Sequence, residues 1–188
     1  MKIKIIKLTP FGPVAIAWST VKGYPQIVRV LISKPGWSAE DQVVQNYPEA
    51  QLTSCREIDD VTKDIKVFLK GQDVVFSLDM VTLEMCSPFQ TGVLRAEHQI
   101  PRGSISTYKL IAEYLGNDKG ARAVGNALAN NPFPIIVPCH RAIRSDGHLG
   151  GFQGGVKMKR VLLENEGVNF DPKGRVVSPR VHYQNKVQ

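Results

Sequence analysis

The segment Asn130-Asn131-Pro132-Phe133-Pro134-Ile135-Ile136-Val137-Pro138-Cys139-His140-Arg141 constrains this chain more than any other: it is apolar, bounded by prolines, and ends on a soft nucleophile. Two readings of Cys139 stand side by side. Free cysteine is among the most buried residue types and behaves there as a small hydrophobe. A thiolate is also intrinsically very nucleophilic, and a neighbouring proton acceptor or positive charge raises its population at neutral pH. His140 can supply either, but successive side chains of an extended segment point to opposite faces, so adjacency alone does not join the two.

A chain of 188 residues can bury a real core as one domain or two small ones, and 43% hydrophobic and 22% charged residues are ordinary for a globular protein. No apolar run approaches the roughly 20 residues that span a bilayer, and the Lys-rich start lacks the apolar stretch of a signal peptide, so the expectation is a cytoplasmic monomer with no membrane partner. Cys55, Cys86 and Cys139 are odd in number, widely separated and never in a C-x-x-C pair. Free thiols are expected, with no disulfide scaffold, no metal and no cofactor.

Charge divides the chain. Residues 1–88 hold ten Lys and Arg against ten Asp and Glu, whereas residues 89–188 hold fourteen against seven, so the whole +7 excess lies in the second half. A basic half attached to a neutral one points to a polyanionic partner, nucleic acid first among them, with solvated lysines as the plainer explanation.

The first part reads as a small mixed α/β domain over 1–80 with a structural role. Val14–Trp18 and Gln26–Leu31 are expected strands separated by the turn Lys22-Gly23-Tyr24-Pro25. Ile58, Val61, Ile65, Phe68 and Leu69 recur at helical spacing up to Gly71, and Asp73–Leu78 is a further candidate strand. After a boundary near Asp79–Ser87, Ser87-Pro88-Phe89-Gln90 carries the signature of a capping box. Phe89, Val93, Ala96 and Ile100 follow on one face before Pro101 and Gly103 stop the helix.

Two short helices come next. Ser106 can cap 107–115, and Asn117-Asp118 can cap a second helix from about Lys119 to Ala129, with Gly116 between them. That proportion fits a helix-turn-helix, and equally any compact helical pair with a glycine turn. The second helix is rich in alanine, which allows close approach to a duplex and leaves Arg122 prominent; tight packing on a neighbour explains the same composition. Five glycines in Gly147–Gly155 permit conformations and close approaches closed to other residues, without a phosphate-loop spacing. A last helix runs from Val156 through Met158, Val161 and Leu162 to Glu166, stopped by Gly167, and 171–188 reads as an extended or partly disordered tail.

In this order the elements resemble the methylated-DNA–protein-cysteine methyltransferases, the O6-alkylguanine-DNA alkyltransferases. The likeness rests on Thr107-Tyr108, Ala121-Arg122-Ala123-Val124-Gly125, Asn131-Pro132, Pro138-Cys139-His140-Arg141, Gly150, Gly154-Gly155 and Leu162-Leu163-Glu164-Asn165-Glu166-Gly167, and covers residues 88–170. It implies an α/β (α+β) fold: an N-terminal mixed domain, then a mainly helical, winged-helix-like alkyltransferase domain over 88–170 with a DNA-binding helix-turn-helix. It also implies a role for each matched residue. Cys139 resembles the acceptor of an alkyl group from O6 of guanine in double-stranded DNA, His140 a base acting through water, Glu166 the group that orients it, and Asn131 the residue that holds the turn. Tyr108 resembles the donor to the departing purine, and Arg122 the finger that fills the place of the flipped base. Gln90, Lys109, Asn117 and Ser145 match positions that touch DNA, although Gln90 and Asn117 also read as helix caps. Phe152 and Gln153 match the alkyl pocket.

Gln153 departs from the small hydroxyl residue common at its position, which leaves the range of alkyl groups open. The zinc cysteines and the adaptor domain of some relatives have no counterpart. Single-turnover, irreversible alkyl transfer, on O6-alkylguanine and conceivably O4-alkylthymine, is the leading expectation. The alternatives are a lesion sensor resembling the alkyltransferase-like proteins, which lack the cysteine, and a cysteine hydrolase, for which no second motif speaks.

Overall fold

The structure is a computed structural model that describes residues 1–177 and 180–184. It divides into two compact units, Met1–Leu83 with Pro132–Ile136, and Glu84–Asn131 with the chain from Val137 onward.

The first unit is built on a four-stranded sheet in the order β3-β2-β1-β4, from β1 (Lys2–Ile6), β2 (Val14–Val21), β3 (Tyr24–Ile32) and β4 (Gln51–Leu52). β2 and β3 form a hairpin closed by only Lys22 and Gly23, at φ +50° and +85°. Two successive positive φ values give a turn whose twist matches that of the strands. Tyr24 and Pro25, read from the sequence as turn residues, therefore already belong to β3.

Alternation places Ile3, Ala15, Ala17 and Leu31 in one cluster with Ala39 and Val43 of α1 (Ala39–Asn46), while Val14, Ile16 and Trp18 are buried on the other face. Ser38 starts α1 through a reciprocal capping box with Asp41. α2 (Arg56–Leu69) buries Ile58, Thr62, Ile65, Phe68 and Leu69, the Thr62 hydroxyl donating to Ile58 O at 2.8 Å, and ends before Gly71 at φ +88°. Val61, read as part of the buried face, is only half-buried.

The candidate strand at Asp73–Leu78 does not form. The chain there is irregular, and the outer edge of β3 is met instead by Met80–Thr82: Ile27 N–H donates to Met80 O at 2.6 Å and Thr82 N–H to Ile27 O at 3.0 Å. Val30 N–H donates to Pro132 O at 2.8 Å, so further edge donors are satisfied as well.

The second unit is mainly helical, with α3 (Pro88–His98), α4 (Tyr108–Tyr114), α5 (Ala121–Ala129) and α6 (Val156–Asn165). The mixed α/β architecture read from the sequence, an N-terminal sheet and a helical C-terminal region, is borne out. Short pairs join β5 (Ser106–Thr107) to β6 (Ala142–Ile143) in parallel, and β7 (Asn169–Phe170) to β8 (Val176–Val177) antiparallel.

Three caps differ from the sequence reading. Ser87 caps α3 by accepting from Gln90 N–H, but the Gln90 amide turns away to donate to Ala127 O and Asn130 O at 3.2 and 3.1 Å, so the box is only half made. Thr107, not Ser106, caps α4, because Ser106 is engaged in β5 and its hydroxyl donates to His182 O. α5 starts at Gly120 with no side-chain cap, and the Asn117 carbonyl accepts from Gly120 N–H instead.

The tail is also corrected over its described part. Val181 bridges to Ile105, and Tyr183 is buried, donating to Ala96 O at 2.8 Å and stacking on Tyr114 with centroids 4.1 Å apart. An aromatic anchor and backbone pairing outweigh the polar composition that suggested disorder; of 171–188, only 178–179 and 185–188 lie outside the described residues. Among the described residues no helix is long and apolar enough to cross a membrane.

Candidate active site

Cys139 is presented by two consecutive tight turns. Pro138 (φ −78°, ψ 56°) lets Cys139 N–H fold back onto Val137 O at 2.8 Å, an inverse γ-turn, and Arg141 N–H then donates to Pro138 O at 2.9 Å, closing a single 3-10 turn over Cys139–Arg141. Ile135 lies at φ +77°, an outlier for a β-branched residue that the surrounding packing must hold in place. Buried Asn131 donates from its amide to Val137 O at 3.3 Å and hydrogen-bonds the Cys139 sulfur, so it holds the turn as its sequence position implies. Gln153 in turn donates to Asn131 O at 2.7 Å.

The same turn brings Cys139, His140 and Arg141 into the interior together. His140 Nε2 is 2.9 Å from Glu166 Oε1. The Arg141 guanidinium grips that carboxylate with Nε at 2.9 Å from Oε2 and Nη2 at 2.8 Å from Oε1, and fixes itself through Nη1 to Ile100 O at 2.6 Å. Burial pushes the Glu166 carboxyl up, but His140 and the arginine fork outweigh it and bring it down to about 2. An ionised Glu166 can only accept, so Nε2 carries the ring proton and Nδ1 holds the lone pair. Burial lowers the His140 pKa against the pull of Glu166, which keeps the ring neutral and able to take a proton.

Cys139 and Tyr108 both rest protonated. Burial raises the Cys139 thiol to about 12, against the Asn131 hydrogen bond, and raises the Tyr108 phenol to about 12. A thiol in that state is inert until a base takes its proton, whereas a phenol in that state is a ready donor. Tyr108 opens α4, and its hydroxyl lies where a Cβ on Gly150 (φ +71°) would come within 2.7 Å, so only glycine leaves room for the ring. The Phe152 ring meets His140 edge-on with centroids 6.4 Å apart.

Two charged side chains of this site went unread in the sequence. Lys159 is fully buried, its Nζ donating to Ala142 O at 2.6 Å, Gly151 O at 3.3 Å and Tyr108 Oη at 3.4 Å, and burial lowers it to about 8. Glu97 is fully buried on α3 with no side-chain donor on either carboxylate oxygen, and burial raises it to about 8 against the Ala142 backbone N–H and the charges of Lys159 and Arg141. Spacing held the signal: Lys159 falls in register with Leu162, Leu163 and Glu166, and Glu97 with Val93 and Ile100, on the buried faces of their helices.

Beside Tyr108 lies an open cleft of about 530 Å³ that brings Lys109, Arg122, Gly125 and Ser145 together. Arg122 is exposed on α5, whose small residues let the cleft floor lie close to the helix backbone. Gln90 and Asn117 do not line this cleft; the Gln90 amide serves the end of α5, and Asn117 lies in the tight connection between α4 and α5.

Residues 88–168 match the family described as 6-O-methylguanine DNA methyltransferase, DNA binding domain. The methylated-DNA–protein-cysteine methyltransferase of Methanothermobacter thermautotrophicus is 47% identical over 107 residues, 57% of this chain and 60% of that protein. That of Pyrobaculum aerophilum is 52% identical over 83 residues, 44% of this chain and 55% of the relative. The matches thus span less than two thirds of these relatives' own length. Among solved structures, Mycobacterium tuberculosis OGT in complex with DNA superposes with a TM-score of 0.70 at 27% identity, covering 88% of this chain and 92% of that one. The O6-methylguanine-DNA methyltransferase of Pyrococcus kodakaraensis gives a TM-score of 0.67 at 25% identity, covering 88% and 99%. The buried cysteine, histidine and glutamate all lie within the span 88–168, and it is this span that is similar to the DNA-binding domain of the 6-O-methylguanine DNA methyltransferases.

Proposed function

We propose that this protein repairs duplex DNA by moving an alkyl group from O6 of guanine to Cys139, once per molecule and irreversibly, in the cytoplasm and as a monomer. The observation that carries the reading is the buried relay: a thiol resting protonated, a neutral histidine beside it in the chain, and an ionised carboxylate on the far nitrogen of that ring. The Cys139 proton passes to His140 through a water, and Glu166 stabilises the imidazolium that forms. The thiolate attacks the alkyl carbon, a C–S bond forms as the C–O6 bond breaks, and the electron pair leaves with the purine. Tyr108 answers that charge by donating a hydrogen bond from its phenol, and the proton taken up by His140 returns through water to the departing purine.

The lesion reaches the thiol by leaving the base stack, at a cost of a few kcal/mol. α4 and α5 act as the helix-turn-helix, with Arg122 in the vacated place and Lys109, Ser145, Asn117 and Gln90 along the strand, while Phe152 and Gln153 border the alkyl group. O6-Methylguanine duplex, followed by intact-mass analysis and peptide mapping, tests the reading. A single methyl on Cys139, absent in Cys139→Ser, is expected. No gain in mass would reject transfer, and tight lesion binding without it would make the protein a sensor.

A further inference from the structure

The cleft beside Tyr108 contains a carboxylate, which is unexpected in a surface meant for a polyanion. Three cations line it, Lys109, Arg122 and Arg144, together with Asp146. Asp146 Oδ2 is 2.7 Å from Arg144 Nη2, and its other oxygen accepts from His148 N–H at 3.1 Å and lies 3.2 Å from His148 Nδ1. Lys109 is 3.4 Å from Glu113 along α4. Arg122 alone among the three has no hydrogen bond or ion pair with the described residues.

The Arg144–Asp146 pair is presented by a rigid turn. Arg144 N–H donates to His148 O at 2.9 Å, Gly147 N–H to Arg144 O at 3.0 Å, and Val176 N–H to Gly147 O at 2.8 Å, tying the loop to β8. Gly147 takes φ +84° at the bend. Both partners of the pair are nonetheless half exposed, at 59% and 46% for their side chains. An exposed pair of this kind is weak, and a phosphate oxygen can take the place of the single carboxylate oxygen that the guanidinium holds.

We infer that Arg144 is a DNA-phosphate contact and that Asp146 holds its place in the free protein, an internal phosphate mimic that the duplex must displace. The inference rests on the DNA reading above and adds a regulation to it: the carboxylate weakens sequence-independent binding to every phosphate that reaches the cleft. Asp146 lies two residues from Arg144 on the same turn, so it re-engages whenever DNA leaves. Undamaged DNA, which gains only the phosphate contact, meets this competition without the compensation that an extruded lesion brings.

Equilibrium binding to an undamaged duplex and to the same duplex with one O6-methylguanine, from 50 to 200 mM salt, tests it with the full chain. For Arg144→Gln, weaker binding to both duplexes is expected, with a log–log salt slope shallower by about 0.9, which amounts to about threefold less affinity lost over that range. For Asp146→Asn, both duplexes should bind about two- to fivefold tighter with a steeper slope. An unchanged slope for Arg144→Gln, or weaker binding by Asp146→Asn, overturns the inference while wild-type binding leaves the DNA reading intact. An effect on the lesion duplex alone also overturns it, since a phosphate contact cannot read the base. Wild-type protein with no salt-dependent duplex binding at all would remove the DNA reading itself.

Discussion

Glu166, which closes α6, and Glu97, in the middle of α3, are carboxyls buried in the same unit, and their surroundings drive them in opposite directions. Glu166 is met by the Arg141 fork and by His140, and its pKa falls to about 2. Glu97 feels the charges of Lys159 and Arg141 and the backbone N–H of Ala142, but no side-chain donor reaches either oxygen, and burial raises it to about 8. Desolvation acts on both. What separates them is whether charged side-chain donors reach the oxygens, because a distant cation cannot replace the water that such a hydrogen bond replaces. The pairing of Glu166 keeps a charge where a neighbouring imidazole needs one. Glu97, left without a charged donor, is held mostly neutral at pH 7.

The largest break in this comparison comes from Glu166→Gln. The substitution leaves the buried Arg141 without its counter-charge, at a cost of about 3–5 kcal/mol. Because the native pKa lies below the unfolded value of 4.5, the contribution is complete above about pH 4.5 and is lost as pH falls toward 2. Urea unfolding should therefore show a deficit at pH 7 that narrows by pH 3. A deficit independent of pH would assign the loss to packing and not to charge.

Glu97→Leu should act with the opposite sign. The folded state keeps a proton that the unfolded chain releases near pH 4.5, so the wild type loses stability as pH rises from there to about 8. The variant escapes that loss. It should be more stable at pH 7 by about 1–3 kcal/mol, with the gain growing by up to about 1.4 kcal/mol per pH unit through the window. Lys159 supplies the other limb: its native pKa near 8 lies below the unfolded 10.5, so stability recovers over that interval as the unfolded chain holds the proton longer. The wild type should pass through a trough near pH 8, with Lys159→Met flattening the alkaline side. A monotonic profile would mean that Glu97 is satisfied in solution by groups such as buried water.

These two carboxyls also mark how far the sequence could be read. Cys139, His140 and Glu166 stood out through the resemblance of their motifs to the alkyltransferases, and the structure joins the histidine to the glutamate at 2.9 Å. Glu97 and Lys159 did not stand out: both fall in register with the buried faces of their helices, but a lone charge beside a hydrophobic stripe ordinarily points to solvent, so the spacing is overruled by the residue type. Arg141 was seen as part of the motif, but its hold on Glu166 depends on the 3-10 turn that swings it inward. In the fold, helix α2 announced itself by five apolar positions, whereas α1 and β1 were passed over: α1 buries only Ala39, Gln42 and Val43, and the lysines of β1 hide its alternation. Asp73–Leu78 had the composition of a strand, but β3 spends its edge donors on Met80 and Pro132.

Gln90 supplies the smallest and most local form of the same comparison. Its amide reaches two carbonyls, Ala127 O and Asn130 O, at the C-terminal end of α5, where helix carbonyls lack intrahelical partners. Gln90→Ala removes both bonds from a half-buried place that water can partly refill, so a loss of about 1 kcal/mol is expected. Gln90→Glu keeps the shape but replaces a donor with a negative acceptor, set against carbonyl oxygens at the negative end of the helix. It should therefore be the more destabilising of the two at pH 7, and the gap should close below the glutamate pKa, where the protonated acid regains a donor. Thermal melts of the pair at pH 7 and pH 4 measure this. Equal melting temperatures at both pH values would leave α5 capped without Gln90 and release its amide for the DNA strand.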